Sequence, residues 1–398
     1  IRRNAYDPAA RGTAADISDF ANNALYVQAK WDVTSRLTLL GGLRYEFLES
    51  DAVPPFNQAF LTTTGFRNTY TLDGASQVSP RLSFNYAANE DRTVQVRGGI
   101  GHFSGRTPWV FFSNSFNAPG VGDFTIINSS PAQGSFTEYL RNFDPENPVG
   151  TGVDNPSLRR AVNWVDDGIK LPAVWRGNLG VDIKLPFAAS TLSFEVVQTV
   201  TDEAFFISNE NLRPLATKGA DGRDRFAGNP GTAANALFAG YTDLYRIRNV
   251  STGQSRYMTV SWDRPLKDRW SANVSYVRGR ATESQGFGQT TASGQWQRNV
   301  VFNQSQVEVG TADTQIKDRI QFSYTREFEF FKSWKTRASL YYEGRTGDPF
   351  SWVYSGDLNG DGQNGNDLVA VPSGIDDPRF DFSGMSTAAR DAYLDFFA

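Results

Sequence analysis

The chain has 398 residues and a net charge of −4 from 39 basic and 43 acidic side chains, with no cysteine and a single histidine, His102. That balance argues against a nucleic-acid binder, which would show a clustered basic face, while the missing thiols exclude disulfides and thiolate metal sites. One imidazole removes histidine-based zinc sites, and with no G-x-S-x-G elbow, P-loop or H-E-x-x-H present no enzyme is expected.

The first predicted strand is Ala24–Asp32, where Leu25, Val27, Ala29 and Trp31 alternate with Tyr26, Gln28, Lys30 and Asp32. A short turn at Val33–Ser35 leads to a second, with Leu37, Leu39, Gly41, Leu43, Tyr45 and Phe47 on one face and Arg44 and Glu46 on the other. The second hairpin turns at Asn89–Arg92. Leu82, Phe84 and Tyr86 oppose Arg81, Ser83 and Asn85, and Val94, Val96 and Ile100 oppose Gln95 and Arg97. His102 then reads as a polar residue at a pore mouth. The long loop Ser104–Ala173, with Trp109, Phe111, Phe112, Phe116 and Trp164, either covers a mouth and meets a ligand or packs on itself; Asp166 and Asp167 read as solvated charges.

The third hairpin, turning at Pro186–Ser190, sets Leu179, Val181, Ile183, Leu192, Phe194 and Val196 against Asp182, Lys184 and Glu195. The fourth turns at Leu266–Asp268 and pairs Met258, Val260 and Trp262 with Trp270, Ala272, Val274 and Tyr276. The fifth turns at Phe328–Ser333 and pairs Ile320, Phe322 and Tyr324 with Trp334, Ala338, Leu340 and Tyr342; Arg319, Arg337 and Glu343 lie on its polar face.

Beyond these strands, Asp357, Asn359 and Asp361 stand at the first, third and fifth positions of a loop with glycine at the sixth, the spacing with which a Ca2+ loop wraps a hard cation. Gln363 takes the seventh position, and Asp367 falls one place before the closing carboxylate of an EF-type loop. Two readings stay open: a shortened calcium site closed by Asp367, or a tight turn satisfying its own backbone. Asp376 and Asp377 read as solvated charges, and Ser386–Ala398 as a short helix capped by Ser386.

A side-chain period of two places each set on its own side of a sheet. The charged set cannot enter a dry core without partners, but it can line a wet lumen. Short turns on one side and loops of roughly thirty to seventy residues on the other mark an outer-membrane β-barrel. Trp31, Trp262, Trp270 and Trp334 beside the turns, with Tyr45, Phe47, Tyr276 and Tyr342 toward the loops, match two interfacial girdles. The expected fold is all-β: an antiparallel transmembrane β-barrel of about ten strands with long extracellular loops. Arg44, Glu46, Arg81, Arg97, Asp182, Glu195, Arg337 and Glu343 are expected to face its lumen.

Val78-Ser79-Pro80-Arg81-Leu82-Ser83-Phe84, then Val96-Arg97-Gly98-Gly99-Ile100-Gly101-His102-Phe103-Ser104-Gly105-Arg106-Thr107-Pro108, resembles the barrel of TonB-dependent outer-membrane receptors. The Oar-like branch, whose barrels follow a carboxypeptidase-regulatory-like domain, is nearest; Ser355-Gly356-Asp357-Leu358-Asn359-Gly360-Asp361-Gly362 and Val371-Pro372 are similar to a segment common there. The resemblance implies a Gram-negative outer membrane, a barrel filled by a plug domain, a TonB complex as partner and an unidentified extracellular ligand. It also implies twenty-two strands, so residues 1–398 are expected to be one incomplete barrel domain, an internal piece without its plug. A surface adhesin and a passive porin are the alternative functions.

Overall fold

The computed structural model describes residues 2–4, 20–121, 123–125, 159–331 and 334–397. In chain order the strands of its main sheet are β1 (Phe20–Asp32), β2 (Leu37–Ser50), β3 (Ser76–Ala87), β4 (Val94–Ser104), β5 (Arg160–Val165), β6 (Ala173–Lys184) and β7 (Thr191–Asn209). Then follow β8 (Tyr241–Val250), β9 (Gln254–Lys267), β10 (Trp270–Glu283), β11 (Gly310–Thr311), β12 (Asp318–Phe331) and β13 (Trp334–Arg345). Among the described residues four α-helices, α1 (Gln58–Thr64), α2 (Trp109–Asn117), α3 (Ala292–Gln297) and α4 (Thr387–Phe397), lie in the loops.

Ten strands form one antiparallel path, β1-β2-β3-β4-β6-β7-β9-β10-β12-β13, and among the described residues its two outer strands pair on one side only. This is the ten-strand barrel wall expected from the alternation, open rather than closed. Pairing is continuous across it: Asp32, Thr38, Asn85, Arg97, Gly180, Glu195, Thr259, Val277, Arg319 and Arg345 stand in one row, a residue from every strand. The adjoining row on the opposite face is Leu37, Tyr86, Val96, Val181, Phe194, Val260, Tyr276 and Ile320. Because the side-chain period is two, a slip of one residue in any strand would put that strand's charges among these apolar groups. Phe194, Val260, Tyr276 and Ile320 are exposed, as an outer face bathed in lipid requires.

The turns explain why the hairpins close. Asp268 and Arg269 have φ of 52° and 70°, the paired positive values of a two-residue type I′ turn, whose twist matches that of its strands. One expected turn is too wide: β12 continues to Phe331, which pairs with Trp334, so the fifth turn narrows to residues 332–333, outside the described residues. Strand pairing won there because Phe328 and Glu329 find partners in Thr336 and Lys335.

The apolar core sits in the loops rather than inside the wall. Leu48, Leu72, Phe111, Phe112, Phe205, Ile207, Tyr245, Ile247 and Trp296 form one buried cluster, and Phe60, Val162, Trp164, Tyr241 and Leu244 a second. β7 connects wall and loops. Its first ten residues, Thr191–Val200, pair with β9, whereas Ala204–Asn209 pair with β8, itself parallel to β5. Its burial changes accordingly, from alternating to continuous over Phe205–Asn209. Phe111, Phe112, Phe116 and Trp164 are buried in this dome, so the aromatics of the Ser104–Ala173 loop pack on protein; residues 126–158 of that loop are outside the described set. α4 begins as expected, with the Ala389 amide donating to Ser386 Oγ at 3.3 Å.

Candidate functional site

The strand register puts Arg44, Glu46, Arg81, Arg97, Asp182, Glu195, Arg337 and Glu343 on one face of the sheet. They fall into separate groups rather than one centre. Arg44 Nη2 lies 2.8 Å from Glu46 Oε1, and Ser104 Oγ donates to the other Glu46 oxygen. Arg97 bridges two strands, with Nε 2.9 Å from Asp182 Oδ2 and Nη1 3.0 Å from Glu195 Oε1; Asn178 Nδ2 adds a 3.0 Å bond to Glu195. At the far edge Arg337 pairs with Glu327 and Glu343 with Arg319, each at 3.0 Å. Arg81 lies over the Phe103 ring at 4.5 Å.

Between the first two groups is a recess of about 740 Å³ lined by Gly42, Arg81, Gly99, Arg176, Asn178 and Glu195. Missing side chains at Gly42 and Gly99 open its floor. Among the described residues neither Arg81 nor Arg176 is in a salt bridge, and both are exposed. The face therefore offers two guanidiniums outside salt bridges, suited to carboxylates, next to a cluster in which Arg97 alone faces Asp182 and Glu195.

A second cavity, about 760 Å³, opens in the loops between segments 283–317 and 346–368. Arg298, Asp313, Lys317, Asp348 and Phe350 line it, all exposed. Its size suits a small ligand. No local sequence pattern announces it, because its walls come from two loops on either side of β12 and β13.

His102 is buried, its ring tilted by 31° against Trp175 with centroids 4.8 Å apart, and its Nε2 lies 2.9 Å from Asp202 Oδ2. The Asp357–Asp367 loop is ordered by its own backbone. Asp357 accepts from the amides of Gly360, Asp361 and Gly362, Asn359 from Asp361, and Asp361 from Gln363. Asp367 is drawn elsewhere: its Oδ1 takes Arg223 Nη1 at 2.9 Å, and its Oδ2 takes the Leu358 and Asn359 amides. Burial pushes the Asp361 carboxyl up to about 6. Among the described residues no three His, Cys, Asp or Glu side chains converge as metal ligands.

Of the acids expected to be solvated, Asp167 and Asp376 are exposed, whereas Asp166 and Asp377 are held by arginines. Asp166 makes a two-pronged pair with Arg246, both contacts at 2.8 Å. Asp377 is 5% exposed and holds Arg379 Nη2 at 2.6 Å and the Ser373 amide at 2.9 Å. Hydrogen bonding from Arg379 keeps the Asp377 carboxyl well below the usual carboxylate range, from a normal value of 3.8. A depressed carboxyl stabilises the fold fully above its unfolded value and loses that contribution as pH falls through the folded one. Amide exchange across residues 371–383 is therefore expected to accelerate from about pH 5 to about pH 2, beyond the intrinsic pH effect, and Asp377→Asn should flatten the change. Identical pH dependence in both proteins would refute the assignment.

A family model described as "Outer membrane beta barrel domain" matches residues 7–388. No curated protein matches the chain. Among solved structures, a mutant of the ferric enterobactin receptor PfeA from Pseudomonas aeruginosa is similar at 11% identity, covering 88% of this chain and 36% of that one, with TM-score 0.45. The alcaligin outer-membrane receptor FauA from Bordetella pertussis is similar at 10% identity, covering 78% and 35%, TM-score 0.35. The FrpB iron transporter from Neisseria meningitidis is similar at 10% identity, covering 78% and 31%, TM-score 0.38. The chain spans about a third of the length of these structures.

Proposed function

Because this chain belongs to the outer membrane beta barrel domain family and so resides in the outer membrane, we propose that it is barrel wall and loop dome of a TonB-dependent receptor of the Oar-like branch. Residues 1–398 are then one incomplete barrel domain, whose missing strands and plug belong to the longer protein. The loops bind an extracellular ligand, with the cavity between segments 283–317 and 346–368 as the entry site. Rearrangement of the plug, driven by the inner-membrane TonB complex, then admits the ligand to the periplasm. Arg44, Glu46, Arg81, Arg97, Asp182, Glu195, Arg337 and Glu343 face the lumen, where they meet plug or passing ligand.

The observation that carries this reading is the row from β1 to β13, polar at every position but Gly180 and Val277, back to back with an apolar one. Charge on one face of a membrane wall is tolerated where that face is wet. Cysteine labelling tests the orientation on a clean background, since the chain has no thiol. In lipid vesicles, a cysteine at Arg44 is expected to react with a water-soluble maleimide and one at Leu43 to resist it; the reverse pattern overturns the lumen assignment. The coding sequence upstream of residue 1 tests the transport claim. A plug and a TonB-contacting segment are expected there, and a complete gene without them would make the protein a porin or an adhesin.

A further inference from the structure

Asp361 has 0% exposure, and among the described residues it is in no salt bridge. The guanidinium that enters this loop, Arg223, is spent on Asp221 and Asp367. The Asp361 oxygens instead receive neutral donors: the Gln363 amide at 2.7 Å, Asn366 Nδ2 at 2.8 Å and Asn359 Nδ2 at 3.4 Å. Asp357, the nearest acid, raises its cost rather than lowering it.

A second observation is independent of the acidic residues. Asn366 is 2% exposed; its Nδ2 donates to Asp361, and among the described residues its Oδ1 has no hydrogen-bond partner. Turning the amide over would bring Oδ1 to the Asp361 carboxylate, oxygen against oxygen. Neither orientation of the amide satisfies a buried acceptor and a buried negative charge together. A bound cation does, because it takes the unpaired oxygen as a ligand and neutralises the carboxylate.

We propose that the 357–366 loop binds one Ca2+, held by Asp357, Asn359, Asp361, the Gln363 carbonyl and Asn366. Asn366 takes the closing place that sequence spacing assigned to Asp367, which Arg223 has withdrawn. Oxygen-only donors, two of them carboxylates and the rest neutral, suit a hard cation and balance its charge. Gly360 and Gly362, with φ of 78° and 86°, turn the backbone around the centre. They also leave no room for a Cβ against Phe226 O and Asn229 Cα, at 2.5 and 2.6 Å, so the loop is clamped onto segment 226–229. A site with so few charges belongs with extracellular calcium modules, whose dissociation constants are about 10⁻⁴–10⁻³ M.

The test is CaCl2 titration of the whole chain in detergent micelles, followed by isothermal calorimetry and by amide exchange of residues 357–367. One Ca2+ is expected in that affinity range, with exchange slowed in this loop. Asp361→Asn should weaken binding about tenfold or more, and Asn366→Asp should tighten it, because affinity follows ligand charge. A purely structural amide would not gain affinity on acquiring a charge. No binding up to about 10 mM, or equal affinity in wild type and Asn366→Asp, overturns the proposal; the second variant decides the matter if Asp361→Asn does not fold.

Discussion

Replacing Arg223 by methionine is expected to destabilise the extracellular loops by about 3–5 kcal/mol, the usual cost of removing one member of a buried ionic network. Arg223 is fully buried, sandwiched between the rings of Phe302 at 4.8 Å and Tyr354 at 5.4 Å. Its nitrogens reach Asp221 Oδ2 at 2.8 Å, Asp367 Oδ1 at 2.9 Å and the Leu368 carbonyl at 2.6 Å. One guanidinium thus ties together segments near residues 221, 302 and 367. Methionine fills much of the volume but leaves Asp367, itself at 0% exposure, as a buried charge without a counterion. Lysine should rescue little, since a single ammonium cannot reproduce three directed contacts between two rings. The midpoint of denaturant-dependent proteolysis reads the loss, and Arg223→Met combined with Asp367→Asn should recover part of it. If the single and double variants are equally unstable, packing rather than the uncompensated carboxylate is responsible.

Val260→Arg is expected to cost about 2–4 kcal/mol, the penalty for a cation on the lipid face near the bilayer centre, whereas Ser261→Arg should cost about 1 kcal/mol or less. The two residues are neighbours on β9. Val260 pairs with Phe194 and Tyr276 in the apolar row, and Ser261 with Ser193 and Ser275 on the opposite face. Both variants place the same arginine at adjacent positions of one strand, so the side of the wall is the main difference in its surroundings. Guanidinium unfolding from lipid vesicles, followed by tryptophan fluorescence, measures the difference. Equal losses would mean that both faces of β9 have the same surroundings, which no membrane wall allows.

The wall was legible because its signal is local and repeated. Val181, Phe194 and Val260 each sit one residue from a polar group, and ten strands report the same alternation. What escaped has partners far away in the chain. Arg160–Val165 has too few residues to declare itself, and becomes a strand because Tyr241–Val250 lies alongside it in parallel. Asp166 looked solvated, yet Arg246, 80 residues on, claims both its oxygens. Asp367 looked like a closing ligand until Arg223, 144 residues away, took one oxygen. Asp377 is the instructive exception: its partner Arg379 is two residues along, but spacing alone does not say whether such a pair is buried. The loop cavity had no sequence signature, since Arg298 and Phe350 meet there only after two hairpins have folded.

β7 links these two worlds as one strand, with a single register irregularity at Thr201–Glu203. Its nineteen residues, Thr191–Asn209, contain no glycine and no proline, and at about 3.3 Å per residue they reach about 60 Å, twice the thickness of a hydrocarbon core of about 30 Å. A lid swings about residues that absorb large backbone rotations, whereas this strand is paired along both halves and breaks register only at Thr201–Glu203, where β6 still pairs with it. The dome is therefore fixed to the wall as a mast is stepped in a hull. A pull on the dome would load the wall directly instead of tipping a cap.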